Sequence, residues 1–334
     1  MSEGPVTSTI HSMADVWDAY RHEMDGVEDQ VRKNLSSSVT LVNTVAGHIL
    51  NSGGKRIRPL LLLVSARLCG YSGHDHHQLG SLVEFIHTAT LLHDDVVDDA
   101  EIRRGRRTAR KVWGNQISIL VGDYLYSKAM CQVVEFRSQG INEVLADACK
   151  KMAEGEVLQL YYNGNPDMPE TDYIKIVEHK TAGLIAASCR MGAILAEASE
   201  AQQDALFRFG QYVGIAFQVA DDTLDYTADG ESLGKTLGQD LRQGKATLPL
   251  LHLLHHCPDT DRQMIKDRME TRTLTERDLE RLIRLMKEYG SIAYALDRAQ
   301  AYIAAAQRDL DSFDESTAKR ALSVAADYMV TRDR

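Results

Sequence analysis

Proline is scarce in this chain: six residues in 334, at Pro5, Pro59, Pro166, Pro169, Pro249 and Pro258. The stretches 60–165, 170–248 and 259–334 therefore run free of the strongest helix breaker. Aromatic side chains make up only 6% of the sequence, which weighs against an all-β protein. The five cysteines (Cys69, Cys131, Cys149, Cys189, Cys257) are an odd number with no C-x-x-C pair. Neither a disulfide framework nor a cysteine zinc site follows from them, and a reducing compartment, the cytoplasm, is expected. Positive charge is in deficit, 38 Lys and Arg against 48 acids for a net charge of −10, a poor balance for general nucleic-acid binding. Long hydrophobic runs are missing too. Leu60–Val64 is followed by Arg67 and is far too short to span a bilayer. Met1–His11 lacks the apolar stretch of a secretory signal.

What remains is 44% hydrophobic and 26% charged, the make-up of a globular chain with a full core. Apolar spacing predicts helices over roughly 60–68, 78–99, 115–137, 141–162, 171–198, 202–226, 245–256, 275–286 and 289–308, with one more near the C-terminus. Tyr162–Pro169 reads as a turn, and Thr227–Gly244, with four glycines, as a mobile loop. No strand is expected and no linker divides the chain. The expectation is an all-α protein with a single domain over residues 1–334.

Two aspartate clusters share one spacing. Asp94, Asp95 and Asp98 follow Leu91-Leu92-His93, and Asp221, Asp222 and Asp225 follow Gln218-Val219-Ala220. Like charges at i and i+4 on a helix repel. Divalent cations relieve that repulsion, and carboxylates suit hard Mg²⁺ shared with substrate phosphates. A single such cluster reads as a solvated helix end, but two after strongly apolar stretches do not.

Basic residues are placed for phosphate. Arg103, Arg104, Arg106, Arg107, Arg110 and Lys111 follow the first cluster. Pairing at the helix end, Asp99 with Arg103 for example, accounts for some of them; the guanidinium fork suits Arg103 and Arg104 to clamping phosphate. Ser52–Pro59 (S-G-G-K-R-I-R-P) sets Lys55 and Arg58 three apart before a helix start, which favours anions. His87, two turns before Asp94, reads by itself as a packed helical histidine. Lys180 and Thr181 interrupt an apolar helix, and Lys235 and Lys245 lie in the glycine-rich segment, where they could close a lid over a phosphate.

In this order, G-G-K-R-x-R-P, D-D-x-x-D with R-R-G, K-T, and Q-x-x-D-D-x-L-D-Y resemble the trans-type polyprenyl diphosphate synthases, over nearly the whole chain. E-F-I-H-T-A-T-L-L-H-D-D-V-V-D-D looks most like the long-chain bacterial members of octaprenyl type. The resemblance implies the isoprenoid synthase fold, helices around a central substrate cavity, and a homodimer. It implies head-to-tail (1′-4) condensation of isopentenyl diphosphate onto an allylic diphosphate of farnesyl or geranyl type, giving a chain for quinone side chains. It assigns about three Mg²⁺ per active site to Asp94, Asp95, Asp98, Asp221, Asp222 and Asp225. The allylic diphosphate goes to Arg103, Lys180, Lys235 and Lys245, and isopentenyl diphosphate to Lys55, Arg58, His87 and Arg104. Thr181 and Gln218 line the reaction centre. The chain departs from the family pattern at Arg107, Arg110 and Thr236, none of them an expected ligand.

Short-chain members often carry an aromatic four or five positions before the first aspartate. Here Thr90 and Ala89 stand there. With Ile86 and Phe136 they are the expected wall of a tunnel left open for a medium or long product, with octaprenyl diphosphate as the central expectation. Two other readings compete. A metal phosphohydrolase of the H-D type is suggested by His87, His93 and Asp94 but leaves the second cluster unexplained. A non-catalytic regulatory subunit is expected to lose an aspartate motif or a basic ligand, and none is lost.

Overall fold

Met13, Val16, Tyr20, Met24, Val27 and Val31 recur every three or four residues and are all buried. That period makes helices of α1 (Met13–Ala19) and α2 (Arg21–Asn34), which the sequence reading left unplaced. The computed structural model describes residues 10–227, 238–271 and 273–331. Its architecture there is all-α apart from one small hairpin. The chain divides into two compact units, each built from separate stretches.

The first unit takes the chain up to Ala146, with Ala187–Phe207 and Phe313–Val324. After α1 and α2 come α3 (Thr40–Leu50), α4 (Ile57–Leu68) and α5 (Asp75–Val97). Leu60, Leu61, Leu62, Leu63 and Val64 of α4 are all buried, as are Leu79, Leu82, Phe85, Ile86, Ala89 and Leu92 of α5. Helix α5 has no continuous polar face because α2, α4 and α7 (Asn115–Val133) all pack on it. Each buried Leu or Phe contributes roughly 1.5–3 kcal/mol, so this contact holds the unit together.

Between α5 and the short α6 (Ala109–Trp113), β1 (Ile102–Arg103) pairs antiparallel with β2 (Arg106–Arg107). The turn residues Arg104 and Gly105 have φ of 51° and 73°, the mirror-image two-residue turn whose twist suits a hairpin. Two-residue strands leave no alternation to read, so the sequence reading missed them. The expected helix 115–137 ends earlier, with α7 passing into a 3₁₀ turn at Val134–Phe136. The helix after it is α8 (Gln139–Tyr162).

The second unit comprises Asp147–Ala186, Arg208–Ser312 and the chain from Ala325. Sequence reading predicts one helix over 171–198. The structure has α9 (Glu170–Val177), a π-helical turn at Glu178–Ala182, and then α10 (Gly183–Leu195). Helix α11 (Glu200–Thr227) carries the second aspartate cluster. Gly238, at φ 68°, precedes the single turn α12 (Gln239–Arg242). The rest of the expected loop, with Lys235 and Thr236, lies outside the described residues. Helices α13 (Leu248–His256), α14 (Asp259–Glu270), α15 (Glu276–Glu288), α16 (Ser291–Asp309) and α17 (Thr317–Thr331) follow. α13 and α15 both pack on α16. Among the described residues no helix is long and apolar enough to cross a membrane.

Candidate active site

The last turn of α5 carries Asp94 and Asp95, and Asp98 caps it. Asp99 then takes the left-handed conformation (φ 53°). Its N–H and that of Ala100 close on the carbonyls of Val96 and Asp95 at 3.4 and 2.9 Å, the two bonds that end a helix with a left-handed residue. The chain thus reverses, and the hairpin brings Arg103 back beneath the helix. Arg103 Nε donates to Oδ1 of Asp95 at 2.7 Å. The expected Asp99–Arg103 pair is not the one formed: Asp99 pairs with Arg110, and Glu101 with Lys111.

Asp95 is wholly buried, and its Oδ2 has no protein partner. Burial pushes its carboxyl up, against the pull of the Arg103 charge. Asp94 and Asp98 beside it are half-buried.

Arg58 touches His87, two turns up the same helix from Asp94, and the charges of Arg104, Arg103 and Arg56 also reach it. Arg58 Nη1 lies 3.3 Å from His87 Nε2. Guanidinium nitrogens only donate, so Nε2 accepts and the imidazole hydrogen sits on Nδ1. Burial pushes His87 well below its ordinary value, and Arg58, Arg104, Arg103 and Arg56 push in the same direction. Burial also brings Arg58 down to about 10, although Glu84 opposes it. Arg104 donates to the carbonyl of Gly53, joining the hairpin to the loop before α4.

Arg56 shapes that loop. With φ 43° it donates to Glu28 at 2.7 Å, to the carbonyl of Leu50 at 2.8 Å, and to Glu84. Lys55 stands exposed beside it, at the start of α4. Sequence reading missed Arg56 and Glu84. Glu84 left a trace, a buried acid in an apolar helix three residues before His87.

In the second unit a single hydrogen-bonded chain joins the expected residues. Thr181, in the π turn, donates from Oγ1 to Oε1 of Gln218 at 2.9 Å. Gln218 Nε2 donates to Oδ1 of Asp222 at 2.7 Å, and the hydroxyl of Tyr173 donates to Oδ2 at 2.7 Å. Tyr173 is a further residue that sequence reading missed. Burial and the nearby Asp240 charge push Asp222 up to about 8, against those two hydrogen bonds. Asp225 Oδ2 accepts from the backbone N–H of Asp240 at 3.0 Å, and Asp221 is half-buried. Lys180 pairs with Glu156. The backbone N–H of Lys245 donates to the carbonyl of Asp240 at 2.9 Å.

Each unit therefore carries carboxylates under stress. An orphaned buried oxygen on Asp95, and a carboxyl on Asp222 raised by burial and by the Asp240 charge, both fit residues that hold divalent cations.

Of the expected tunnel wall, Ile86 and Ala89 are buried, while Thr90 and Phe136 are half-buried. Thr90 turns its hydroxyl back onto the carbonyl of His87 at 2.8 Å.

Comparison with known proteins matches residues 39–286 to the polyprenyl synthetase family. The chain is 41% identical over 312 residues to an octaprenyl diphosphate synthase of Escherichia coli, covering 93% of this chain and 96% of that one. A decaprenyl diphosphate synthase from Rhodobacter capsulatus superposes with a TM-score of 0.92 at 37% identity, over 96% of this chain and 99% of that one. A polyprenyl synthase from Caulobacter crescentus, solved with calcium and isoprenyl diphosphate, gives 0.91 at 39% identity, over 96% and 98%.

Proposed function

The chain belongs to the polyprenyl synthetase family and is a prenyltransferase, and on that footing we propose that it makes all-trans-octaprenyl diphosphate for quinone side chains. The observation that carries the reading is a neutral His87 in contact with Arg58 and within reach of the Arg103 and Arg104 charges, two turns before Asp94 on the same helix. Such a set of groups suits a diphosphate, whose oxygens take several charge-assisted hydrogen bonds at once.

In this reading an allylic diphosphate ionises and isopentenyl diphosphate attacks the resulting carbocation. The family uses a divalent metal. Mg²⁺, about three ions, would be held by Asp94, Asp95, Asp98, Asp221, Asp222 and Asp225, and supplies charge to offset what develops on the departing diphosphate. Arg103, Lys180, Lys235 and Lys245 bind the allylic diphosphate. Lys55, Arg58, Arg104 and the Nδ1–H of His87 hold isopentenyl diphosphate. Thr181 and Gln218, ordered by Asp222 and Tyr173, line the reacting centre and keep water from it. An H-D phosphohydrolase would leave both the second cluster and these arginines without work.

Octaprenyl length rests on the E. coli relative and on the small side chains at Ala89 and Thr90. A homodimer is supported by α7, where Ile119, Leu120, Tyr126 and, just beyond it, Val134 form an exposed apolar stripe. The five cysteines are all unpaired, which suits the cytoplasm. The test is condensation by purified protein from farnesyl or geranyl diphosphate and isopentenyl diphosphate, with products separated by chain length. Chelator should abolish it, Mg²⁺ should restore it, and the main product should carry eight isoprene units; turnover in excess chelator would sink the reading.

A further inference from the structure

Glu23 of α2 divides its carboxylate between two sets of neighbours. Oε1 accepts from Nε and Nη2 of Arg67 at 3.0 and 2.5 Å. Oε2 faces Nε2 of His76 at 2.8 Å and Nε2 of His77 at 2.6 Å, both at the start of α5. The three ligand atoms all lie within 4.8 Å of one another, the one such group of His, Cys and acidic residues among the described residues. His76 is wholly buried, with Nε2 turned to Glu23 and Nδ1, which has no protein partner, turned away from the three ligand atoms. Room for the second ring is made by Gly26, one turn along from Glu23. A Cβ there would stand 2.6 Å from Nδ1 of His77.

We propose that Glu23, His76 and His77 form a site for a divalent transition-metal ion of the zinc class, separate from the aspartate clusters. Two imidazoles and one carboxylate are a zinc donor set that leaves a position for water, whereas Mg²⁺ prefers oxygen alone. Arg67 fixes the carboxylate from behind, the kind of support that orients a metal ligand. Tetrahedral donors stand about 3.3 Å apart, so small rotations that open the two N–O separations by about half an ångström admit the ion. Binding requires each imidazole to carry its hydrogen on Nδ1, which frees both Nε2 lone pairs for the ion. A bound ion clips α2 to the start of α5, 53 residues along the chain.

The test uses full-length protein stripped with chelator and returned to excess Mg²⁺, which occupies carboxylate sites and competes poorly for imidazole. Zn²⁺ should then bind at one equivalent with micromolar or tighter affinity. At a hundredfold over its Kd it should raise the Tm by roughly 3–6 °C. Glu23→Gln and His77→Gln should each lose that equivalent and the zinc-dependent rise, whatever their stability without zinc. Co²⁺ in place of Zn²⁺ should give visible bands of nitrogen coordination in wild type and not in the variants. Equal stoichiometry and equal Tm rise in all three proteins, or no zinc bound by wild type, would overturn the proposal.

Discussion

His87 touches Arg58 and feels the charges of Arg104, Arg103 and Arg56, and burial with those charges keeps its imidazole neutral. A histidine whose folded value is depressed contributes stability that is complete above its unfolded value near 6.5 and is lost as pH falls toward the folded one. His87→Gln should therefore flatten the loss of stability below pH 6.5, measured by denaturant unfolding at several pH values; an unchanged slope would mean that His87 titrates normally. Lys55→Ala and Arg58→Ala should raise the KM for isopentenyl diphosphate by roughly ten- to a hundredfold, the worth of a charge-assisted contact, and change the allylic KM little. A rise in the allylic KM alone would exchange the two subsites. At this scale the residue types and spacings were legible in the sequence, but their pairings were not. Arg103 sits four residues from Asp99 in sequence, and only the left-handed turn at Asp99 sends it back to Asp95 instead.

Helix α5 was readable as a helix because Leu82, Phe85, Ile86, Ala89 and Leu92 recur at three- and four-residue spacing, although its packing on several sides was not. The π turn at Glu178–Ala182 was not, since one widened turn leaves no compositional trace. The segment now occupied by α1 and α2 had the right period, but its many acids and bases masked it. The placing of α5 sets the chain-length prediction. Ala89 and Thr90 lie one to two turns before Asp94, about 6–7.5 Å along the axis. Ala89→Tyr and Thr90→Phe should each shorten the main product to three or four isoprene units. Ala89 is buried, so its ring also risks about 1–3 kcal/mol of overpacking. The half-buried Thr90 separates the two effects. Product lengths unchanged in both variants would show that neither position meets the growing chain.

For the molecule as a whole, the exposed stripe on α7 is the surface to test. Leu120, 62% exposed, lies between Ile119 and Tyr126 on that stripe. Leu120→Glu should convert a dimer to a monomer in analytical ultracentrifugation, and an unchanged mass would place any interface elsewhere.

Four of the five divisions between the two compact units fall inside helices, within α8, α10, α11 and α17. The unit holding the first aspartate cluster and the unit holding the second are therefore not modules in the genetic sense. Recombination that joins one relative's first half to another's second at Ala146 severs a 24-residue helix rather than a linker. Exchange of whole units would thus cut through helices, whereas single substitutions along them, such as those before Asp94, leave them intact.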